Sequence, residues 1–282
     1  MKVIPEDDYP HTPSDNPLWR EGYHFNGYDP VSRIGVTVSV GIKPFQGYRE
    51  EVVAVHTENP VVLMTMRPLD KDFLNVGTLK MEIIEPLKKW RIEMKDTFQK
   101  MENGMPSGVT NVELDLYFDS DIPPYKYSTK RGDRYEQPGP LEGAIKVGNT
   151  SIDFKGNGMR DHSWELRDMT AWAEWYSLMG WSNTDTYVFA NYFRINSTLF
   201  HEGWLKTDKY YRVDNVQVTP VFSDDVLKEC KMQVQASGTQ LEFTPRVLSF
   251  FFIPLGGAQG TIVETIVELG KDGYAFLWYG RK

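Results

Sequence analysis

The stretch that decides the fold covers residues 141–168, LEGAIKVGNTSIDFKGNGMRDHSWELRD. Its runs 141–147 and 151–154 are strand-like and flank Gly148-Asn149, a dipeptide that favours a tight turn. This pattern predicts an antiparallel β-hairpin. The second strand leads directly into residues 156–168, here called the central motif, which concentrate more chemically active side chains than any other short run of the chain.

The same strand-like pattern extends through the rest of the sequence. Apolar and polar residues alternate clearly in residues 36–43 and 112–119. Helix is expected only as a turn or two near residues 165–171, and residues 220–229 are expected to form either a short helix or a loop. Each half of the chain contains roughly six to eight strand candidates, at the spacing of barrels or sandwiches. We therefore predict an all-β protein of two consecutive antiparallel barrels with little helix.

The expected domain boundary follows the central motif, giving domains of residues 1–170 and 171–282. Three segments of the first domain are predicted to lie outside its strands. Residues 1–30, rich in Pro, Asp and Tyr, are expected to form an irregular segment that wraps the body. Residues 100–109 are expected to form a loop. Residues 119–140 are expected to form a long loop, and long loops in compact domains are often functional.

Composition excludes several classes of function. The 282-residue chain has a formal net charge of −8 and no concentrated basic surface, which excludes nucleic acid as a partner. The single cysteine, Cys230, allows no intrachain disulfide and fits a reducing compartment. Residues 1–17 lack the apolar core of a signal peptide, and the longest apolar run, 247–255, is too short to span a bilayer. We therefore expect a cytoplasmic protein with no integral membrane segment.

Strand parity predicts which side chains of the central motif face the core. If the strand continues from residue 151, Arg160, His162 and Trp164 share the face of the apolar Phe154, and Asp161 lies on the other face. A bulge at one of the motif's glycines would reverse this assignment.

A buried arginine and a buried histidine need partners, because an unpaired charge in an apolar interior is costly. Two interpretations stay open. In the first, the motif is a structural ion network, joining Arg160 or Arg167 to Asp161, Asp168 or Glu136. In the second, it is an acid–base site in which His162 transfers protons, a carboxylate fixes its tautomer, and an arginine steadies a developing anion.

No metal site or cofactor is expected from the sequence. The five histidines show no metal-ligand spacing, and the central motif lacks the third glycine of a dinucleotide fingerprint. Aromatic residues are dense immediately after the motif. They either fill a large β core or line a cavity for a bulky apolar molecule.

Three segments resemble one known family. The central motif resembles the family signature G-x-G-x-R-D-H-S-W-G-x-R-D. Residues 16–30 (NPLWRE through FN-x-YDP) resemble its N-terminal segment, and residues 135–143 (YEQPG, then L-x-G) resemble the strand entry before the signature. The family is the lipocalin-like superfamily of hydroxyneurosporene synthase (carotenoid 1,2-hydratase), kievitone hydratase, tocopherol cyclase and lipocalin-like Diels–Alderases. The resemblance is strongest to bacterial members of unassigned activity.

The resemblance implies two lipocalin-like β-barrels with a large apolar pocket near their junction. It also implies that His162 and Trp164 correspond to the His-x-Trp pair that hydratase relatives use for cofactor-free proton chemistry on an alkene. Two positions depart from the family pattern: Glu165 stands where glycine is usual, and Met169 stands where tryptophan is common. A carboxylate at position 165 either adds an acid–base group or faces solvent.

We therefore expect a cofactor-independent lyase, hydratase, cyclase or isomerase acting on a bulky isoprenoid, steroid or multi-ring aromatic molecule. A non-catalytic carrier of such a ligand is the alternative. The expected catalytic residues are His162, oriented by Asp161 or Asp168, with Arg160 and Glu136 as polar anchors. The expected substrate-binding residues are Trp164, Trp19, His24, Tyr176, Tyr187 and Tyr192. A homodimer stays open, because exposed edges of open barrels often pair.

Overall fold

The computed structural model describes residues 2–129, 131–168, 171–183, 185–223, 226–254, 261–270 and 272–281. These residues form β-strands and short 3-10 helices but no α-helix, which confirms the predicted all-β class. No helix in these ranges has the length and apolar character needed to cross a bilayer. The chain divides into two compact units: unit 1 comprises residues 1–102 and 106–167, and unit 2 comprises residues 103–105 and 168–282.

Unit 1 is built on a ring of antiparallel strands. Its strands are β1 (Trp19–Asp29), β2 (Ile34–Lys43), β3 (Tyr48–His56), β4 (Val61–Pro68), β5 (Asn75–Val76), β6 (Leu79–Glu85), β7 (Lys89–Glu102), β8 (Met105–Asp119), β9 (Tyr125–Ser128), β10 (Gly132–Val147) and β11 (Thr150–Leu166). The pairing order is β4-β3-β2-β1-β11-β10-β8-β7, and a further pairing of β4 with β7 closes the ring. Short 3-10 helices cover Pro5–Asp8 and Pro44–Gln46.

The core of unit 1 lies inside this ring. Alternate residues of β2, from Val36 to Ile42, are fully buried and pack with Phe25, Trp90 and Phe154. β10 and β11 pair without a register shift from Val147↔Thr150 to Gly132↔Glu165, so neither glycine of the central motif hosts a bulge. Parity is therefore preserved along β11. Arg160 lies against the core aromatics, with its guanidinium 5.6 Å from the ring centre of Trp90, as parity predicted.

Unit 2 is a half-barrel of antiparallel strands. Its strands are β12 (Trp172–Asn183), β13 (Thr186–Ile195), β14 (Thr198–Lys206), β15 (Tyr210–Ser223), β16 (Val226–Ala236), β17 (Thr239–Phe243), β18 (Arg246–Pro254), β19 (Thr261–Glu268) and β20 (Tyr274–Arg281). The order is β17-β16-β15-β14-β13-β12-β20-β19-β18, which leaves β17 and β18 at the edges. Its own core includes Leu178, Val188 and Leu277.

The expectation of an irregular segment over residues 1–30 was wrong for its second half. Residues 19–29 form β1, which pairs with β2 on one side and β11 on the other. The strand was missed because an inward position holds the acid Glu21 instead of an apolar residue, and this breaks the alternation on which strand prediction depends.

Other expected loops and helices are also strands. Residues 100–109 are the ends of β7 and β8 around a tight turn, and residues 119–140 contain β9 and the start of β10. In residues 220–229, β15 continues to Ser223 and β16 begins at Val226, with residues 224–225 outside the described ranges. In residues 165–171, β11 runs to Leu166, and residues 169–170 lie outside those ranges.

Gly158 gives a direct test of the packing between β1 and β11. A methyl group at this position would lie 1.9 Å from the backbone oxygen of Asn26 and 2.7 Å from Cα of Gly27. Because rigid backbone atoms make this contact, the strands must move apart. We expect Gly158→Ala to lower the free energy of unfolding by about 1–3 kcal/mol, measured by denaturant titration. Lys155→Ala, at an exposed position of the same strand, should change it by less than about 0.5 kcal/mol; equal effects would contradict this packing.

Candidate active site

Three neighbouring strands place aromatic rings around His162. Tyr23 on β1 and Tyr135 on β10 both lie directly opposite His162 on β11. Residues opposite one another project from the same face of a sheet, so the three rings meet. The Tyr23 ring stacks on the imidazole at a centroid distance of 4.0 Å, and the Tyr135 ring contacts it edge-on at 5.5 Å. His162 is 1% exposed.

Glu21 is the carboxylate that binds His162. Its Oε1 lies 2.9 Å from Nε2 of His162 and 2.7 Å from Nδ1 of His11, and it is fully buried. The backbone N–H of His11 also donates to both carboxylate oxygens at 3.1 Å. Burial alone would raise the pKa of Glu21, but hydrogen bonds and charge from His11 and His162 hold it below its usual value. Glu21 is therefore an anion that only accepts hydrogen bonds.

This contact fixes the tautomer of His162. Because the carboxylate can only accept, Nε2 of the imidazole must carry the hydrogen. The other nitrogen, Nδ1, is buried and has no hydrogen-bond partner among the described residues. In the neutral ring, Nδ1 therefore presents a lone pair, and in the charged ring it presents an N–H. Either form can exchange a proton with a molecule at that nitrogen.

Arg160 is anchored in the same interior by Asp8. Its Nη1 donates to Oδ1 of Asp8 at 2.6 Å and to the hydroxyl of Tyr135 at 3.1 Å, and its Nε donates to Oε1 of Gln137 at 2.7 Å. Burial would raise the pKa of Asp8, but the Arg160 guanidinium, together with hydrogen bonds from Tyr135 and the backbone of Leu87, holds the pKa below its usual value. Trp90 Nε1 also donates to Asp8, at 3.1 Å. The buried arginine is thus neutralised by a fully buried carboxylate.

The N-terminal segment, residues 2–18, closes the site. It supplies both Asp8 and His11, and the His11 ring stacks on Trp164 at 3.9 Å. The Lys126 ammonium lies 5.0 Å from the Trp164 ring centre and pairs with Asp7 at 3.0 Å. The side chain of His11 is 24% exposed, whereas those of Glu21 and His162 are at most 1% exposed. His11 is therefore the solvent-facing member of this group.

Asp161 and Glu136 do not take the predicted roles beside His162. Both lie on the opposite face of their strands, where Arg134 pairs with Asp161 and donates from Nε to Glu136 at 2.7 Å. The physical reason is strand parity, which sends residues 160 and 162 to one face and residue 161 to the other. The orienting carboxylate is Glu21, which the sequence left unassigned because it lies 141 positions from His162.

Glu165 is neither an acid–base group nor a solvent-facing residue. It is 3% exposed and lies on the face opposite His162, paired with Arg167 and, at 3.6 Å, with Arg131. Burial raises its pKa, but the charges of Arg167, Arg134 and Arg131 together lower it to about 2. Glu165 is therefore a permanently charged structural anion at neutral pH. Met169, the other departure from the family pattern, lies outside the described residues.

The predicted substrate-binding residues do not form one group. Trp164 covers His162, with ring centres 5.0 Å apart, and Trp19 is buried at a β1 position of the same parity as Glu21. His24 has the opposite parity and contacts Asn26 at 3.0 Å. The three predicted tyrosines belong to unit 2. There Tyr176 and Tyr192 contact each other edge-on at 5.9 Å, and Tyr187 lies on β13 at the parity opposite to Tyr192.

His11, Glu21 and His162 also have the donor composition of a metal site. One ligand atom from each lies within 4.8 Å of the others. Two imidazoles and a carboxylate are a set that zinc or iron can bind. The expectation of no such group rested on local spacing, and the fold brings together residues that are distant in sequence. The oxygen–nitrogen separations of 2.7 and 2.9 Å are nevertheless hydrogen-bond lengths, so His11, Glu21 and His162 form a hydrogen-bonded triad.

Two open clefts of unit 1 lie elsewhere. One, of about 720 Å³, is lined by charged and apolar residues that include Lys80, Glu93 and Leu114. The other, of about 560 Å³, is lined by residues that include Val61 and Met101. Neither cleft is lined by a residue of the His162 site, so the His162 site is distinct from both clefts.

Comparison with known proteins shows the family. A family described as a domain of unknown function, DUF7064, matches residues 4–280. The chain belongs to the DUF7064 family. No curated protein matches this DUF7064 chain significantly in sequence.

Solved structures share the fold of this DUF7064 protein. A Nitrosomonas europaea protein provisionally called AttH matches with a TM-score of 0.60 at 13% identity, covering 96% of this chain and 98% of its own. Kievitone hydratase from Nectria haematococca matches with a TM-score of 0.59 at 11% identity, and the match covers 92% of this chain and 88% of the hydratase. CghA matches with a TM-score of 0.55 at 11% identity, and the match covers 94% of this chain and 87% of CghA. These matches confirm the resemblance expected from the central motif, and at such identities they show the fold alone.

Glu165 gives a pH-dependent test of the charge assignment. Because its folded pKa of about 2 lies below the ordinary 4.5, the ion pairs stabilise the native state fully above pH 4.5. That stabilisation, about 3 kcal/mol at most, is lost as the pH falls from 4.5 towards 2. We expect Glu165→Gln to destabilise the protein at pH 7 but much less at pH 2.5, measured by urea titration at both values. Glu58→Gln, at an exposed position, is the control; a Glu165→Gln effect independent of pH would contradict the assignment.

Proposed function

We propose that this protein is an acid–base enzyme of the lyase type that acts on a bulky hydrophobic small molecule at His162. The observation that carries the proposal is the pair formed by Glu21 and His162. A buried carboxylate binds one imidazole nitrogen at 2.9 Å, and the other nitrogen is buried with no partner in the described part of the chain. A histidine held by a carboxylate with its second nitrogen available is the arrangement of a general acid–base catalyst.

In this proposal His162 transfers one proton through Nδ1. In the dehydration direction, a substrate loses a proton from one carbon and a hydroxyl from the next, forming an alkene and water. Neutral His162 accepts the carbon-bound proton, and the resulting imidazolium returns it to the departing hydroxyl. Glu21 stabilises the imidazolium and keeps the ring in one orientation, and general acid–base catalysis of this kind contributes about 10²–10⁴-fold in rate. Hydration is the same sequence reversed.

The surroundings of His162 support a hydrophobic substrate. The imidazole is in contact with three aromatic rings, those of Tyr23, Tyr135 and Trp164. The aliphatic side chains of the unit 1 core lie beyond these rings. Aromatic and aliphatic walls that carry a small number of fixed polar groups are typical of sites for hydrophobic small molecules. The shared fold of kievitone hydratase, a hydratase by name, supports the choice of reaction class.

Substitutions at the Glu21–His162 pair test the proposal. Isoprenoids, steroids and multi-ring aromatic alcohols or alkenes are incubated with the wild-type protein. Liquid chromatography coupled to mass spectrometry detects gain or loss of water by mass and conversion to an isomer by retention time. On any compound turned over, we expect His162→Gln to abolish the reaction. Glu21→Gln should slow it by about 10²–10⁴-fold, because the ring loses its orienting anion. His201→Gln, which changes a histidine of unit 2, should retain the wild-type rate.

Melting temperatures of the variants separate catalysis from folding. His162→Gln should keep a cooperative transition, since glutamine can still donate a hydrogen bond to Glu21. A folded His162→Gln protein with full turnover would contradict the catalytic assignment. A ligand that binds tightly but stays chemically unchanged through prolonged incubation, with no compound in the panel converted, would favour the carrier function instead.

A further inference from the structure

In unit 1, three buried polar atoms on neighbouring side chains have no hydrogen-bond partner among the described residues. They are the hydroxyl of Tyr23, Nη2 of Arg160 and Nδ1 of His162, and each side chain is at most 1% exposed. Buried polar atoms in proteins are nearly always paired, so an unpaired one needs an explanation. Three unpaired atoms on adjacent side chains indicate a shared explanation.

The three groups belong to one contiguous cluster. The Tyr23 ring stacks on His162, and both Tyr23 and Arg160 approach the Trp90 ring, at 5.6 Å in each case. Tyr135 joins the set, with its ring 5.1 Å from the Arg160 guanidinium and 5.5 Å from the imidazole. The unpaired atoms therefore belong to side chains that line the same small region beside His162.

The neighbouring polar atoms of this cluster are hydrogen-bonded, so the lack of a partner is confined to particular atoms. Arg160 uses Nη1 and Nε on Asp8, Tyr135 and Gln137, but not Nη2. The two tyrosines that flank His162 also differ: the Tyr135 hydroxyl donates to Asp8, whereas the Tyr23 hydroxyl has no partner in the described part of the chain. The network therefore leaves one hydroxyl and one guanidinium nitrogen without a partner in the described part of the chain, on side chains that both approach the Trp90 ring.

We propose that the Tyr23 hydroxyl and Nη2 of Arg160 bind an oxygen atom of the substrate, so that the substrate is a hydrophobic carbonyl compound or phenol and not a bare hydrocarbon. A guanidinium N–H can only donate, and a phenol hydroxyl can donate, so their common complement is an oxygen acceptor. Burial raises the pKa of Tyr23 well above its usual value, so the hydroxyl keeps its proton and remains a donor. The catalytic meaning of this oxygen site rests on the function proposed above; its existence does not.

This site narrows the expected substrate classes. An unfunctionalised polyene would leave two buried donors unpaired in the complex, whereas a ketone or phenol oxygen would satisfy them. Because the Tyr23 ring stacks on the imidazole, an oxygen bound here would hold the substrate beside His162. Steroids and multi-ring aromatics that carry oxygen are therefore favoured over isoprenoid hydrocarbons.

A matched pair of probes tests the site without any turnover. 1-Tetralone has a carbonyl oxygen, and tetralin is its parent hydrocarbon of nearly the same shape. A purely apolar site binds tetralin more tightly, because tetralin is the more hydrophobic compound. We expect the full-length wild-type protein to bind 1-tetralone at least tenfold more tightly than tetralin, a difference of about 1.4 kcal/mol, measured by titration calorimetry or equilibrium dialysis.

Tyr23→Phe is the decisive variant, since it removes the hydroxyl and keeps the ring that stacks on His162. It should weaken 1-tetralone binding about tenfold and leave tetralin binding unchanged. Tyr28→Phe, at a buried tyrosine of opposite parity on the same strand, should change neither. Arg160→Lys, checked for folding by its melting temperature, should also reduce the preference for the ketone.

Three results would overturn the oxygen site: tetralin binding as tightly as 1-tetralone, binding of neither probe, or an unchanged preference in Tyr23→Phe. None of these results bears on whether His162→Gln abolishes turnover. Conversely, a protein that binds the ketone selectively but converts no substrate retains the oxygen site and loses the proposed enzymatic function.

Discussion

The buried carboxylate of Glu21 is the constraint on which the site of unit 1 depends. A negative charge inside a β-barrel is tolerated only with partners that donate hydrogen bonds or carry positive charge. Here the partners are two imidazoles, one from β11 and one from the N-terminal segment. Satisfying this carboxylate requires β1 to pair with β11 in one register and the N-terminal segment to lie across the site.

The same need for a partner accounts for the neighbouring buried charges, which lie on the two faces of the sheet. On the inward face, Arg160 is neutralised by Asp8, so the N-terminal segment is held at a second point. On the other face, Arg134 pairs with both Asp161 and Glu136. A single run of alternating residues in β11 therefore places His162 on one face and an acid of a buried ion pair, Asp161, on the other. A buried ion network is present, as the first interpretation expected, but Asp161 and Glu136 pair with Arg134, and Arg160 pairs with Asp8. The acid–base role of His162 stays a prediction.

Sequence reasoning predicted what depends on local pattern. The all-β class, the inward direction of Arg160 and the proximity of Trp164 to His162 all follow from alternation along strands. Glu21, Asp8, His11 and Tyr23 could not be found in this way, because their roles depend on contacts across strands between residues distant in sequence. Glu21 was difficult to find for a second reason: a charged residue at an inward position breaks the apolar alternation from which β1 would have been predicted. Local rules are often broken at functional sites for this reason.

The tautomer of His162 is the most direct test of this account. Long-range ¹⁵N–¹H NMR spectra of the full-length protein, assigned by comparison with His162→Gln, report which ring nitrogen carries hydrogen at a pH where the ring is neutral. The Glu21 contact predicts a hydrogen on Nε2 and an unprotonated Nδ1, with an Nε2–H protected from exchange with water. A hydrogen on Nδ1, or a ring whose two tautomers interconvert as in free histidine, would contradict the Glu21–His162 pair and the catalytic function built on it.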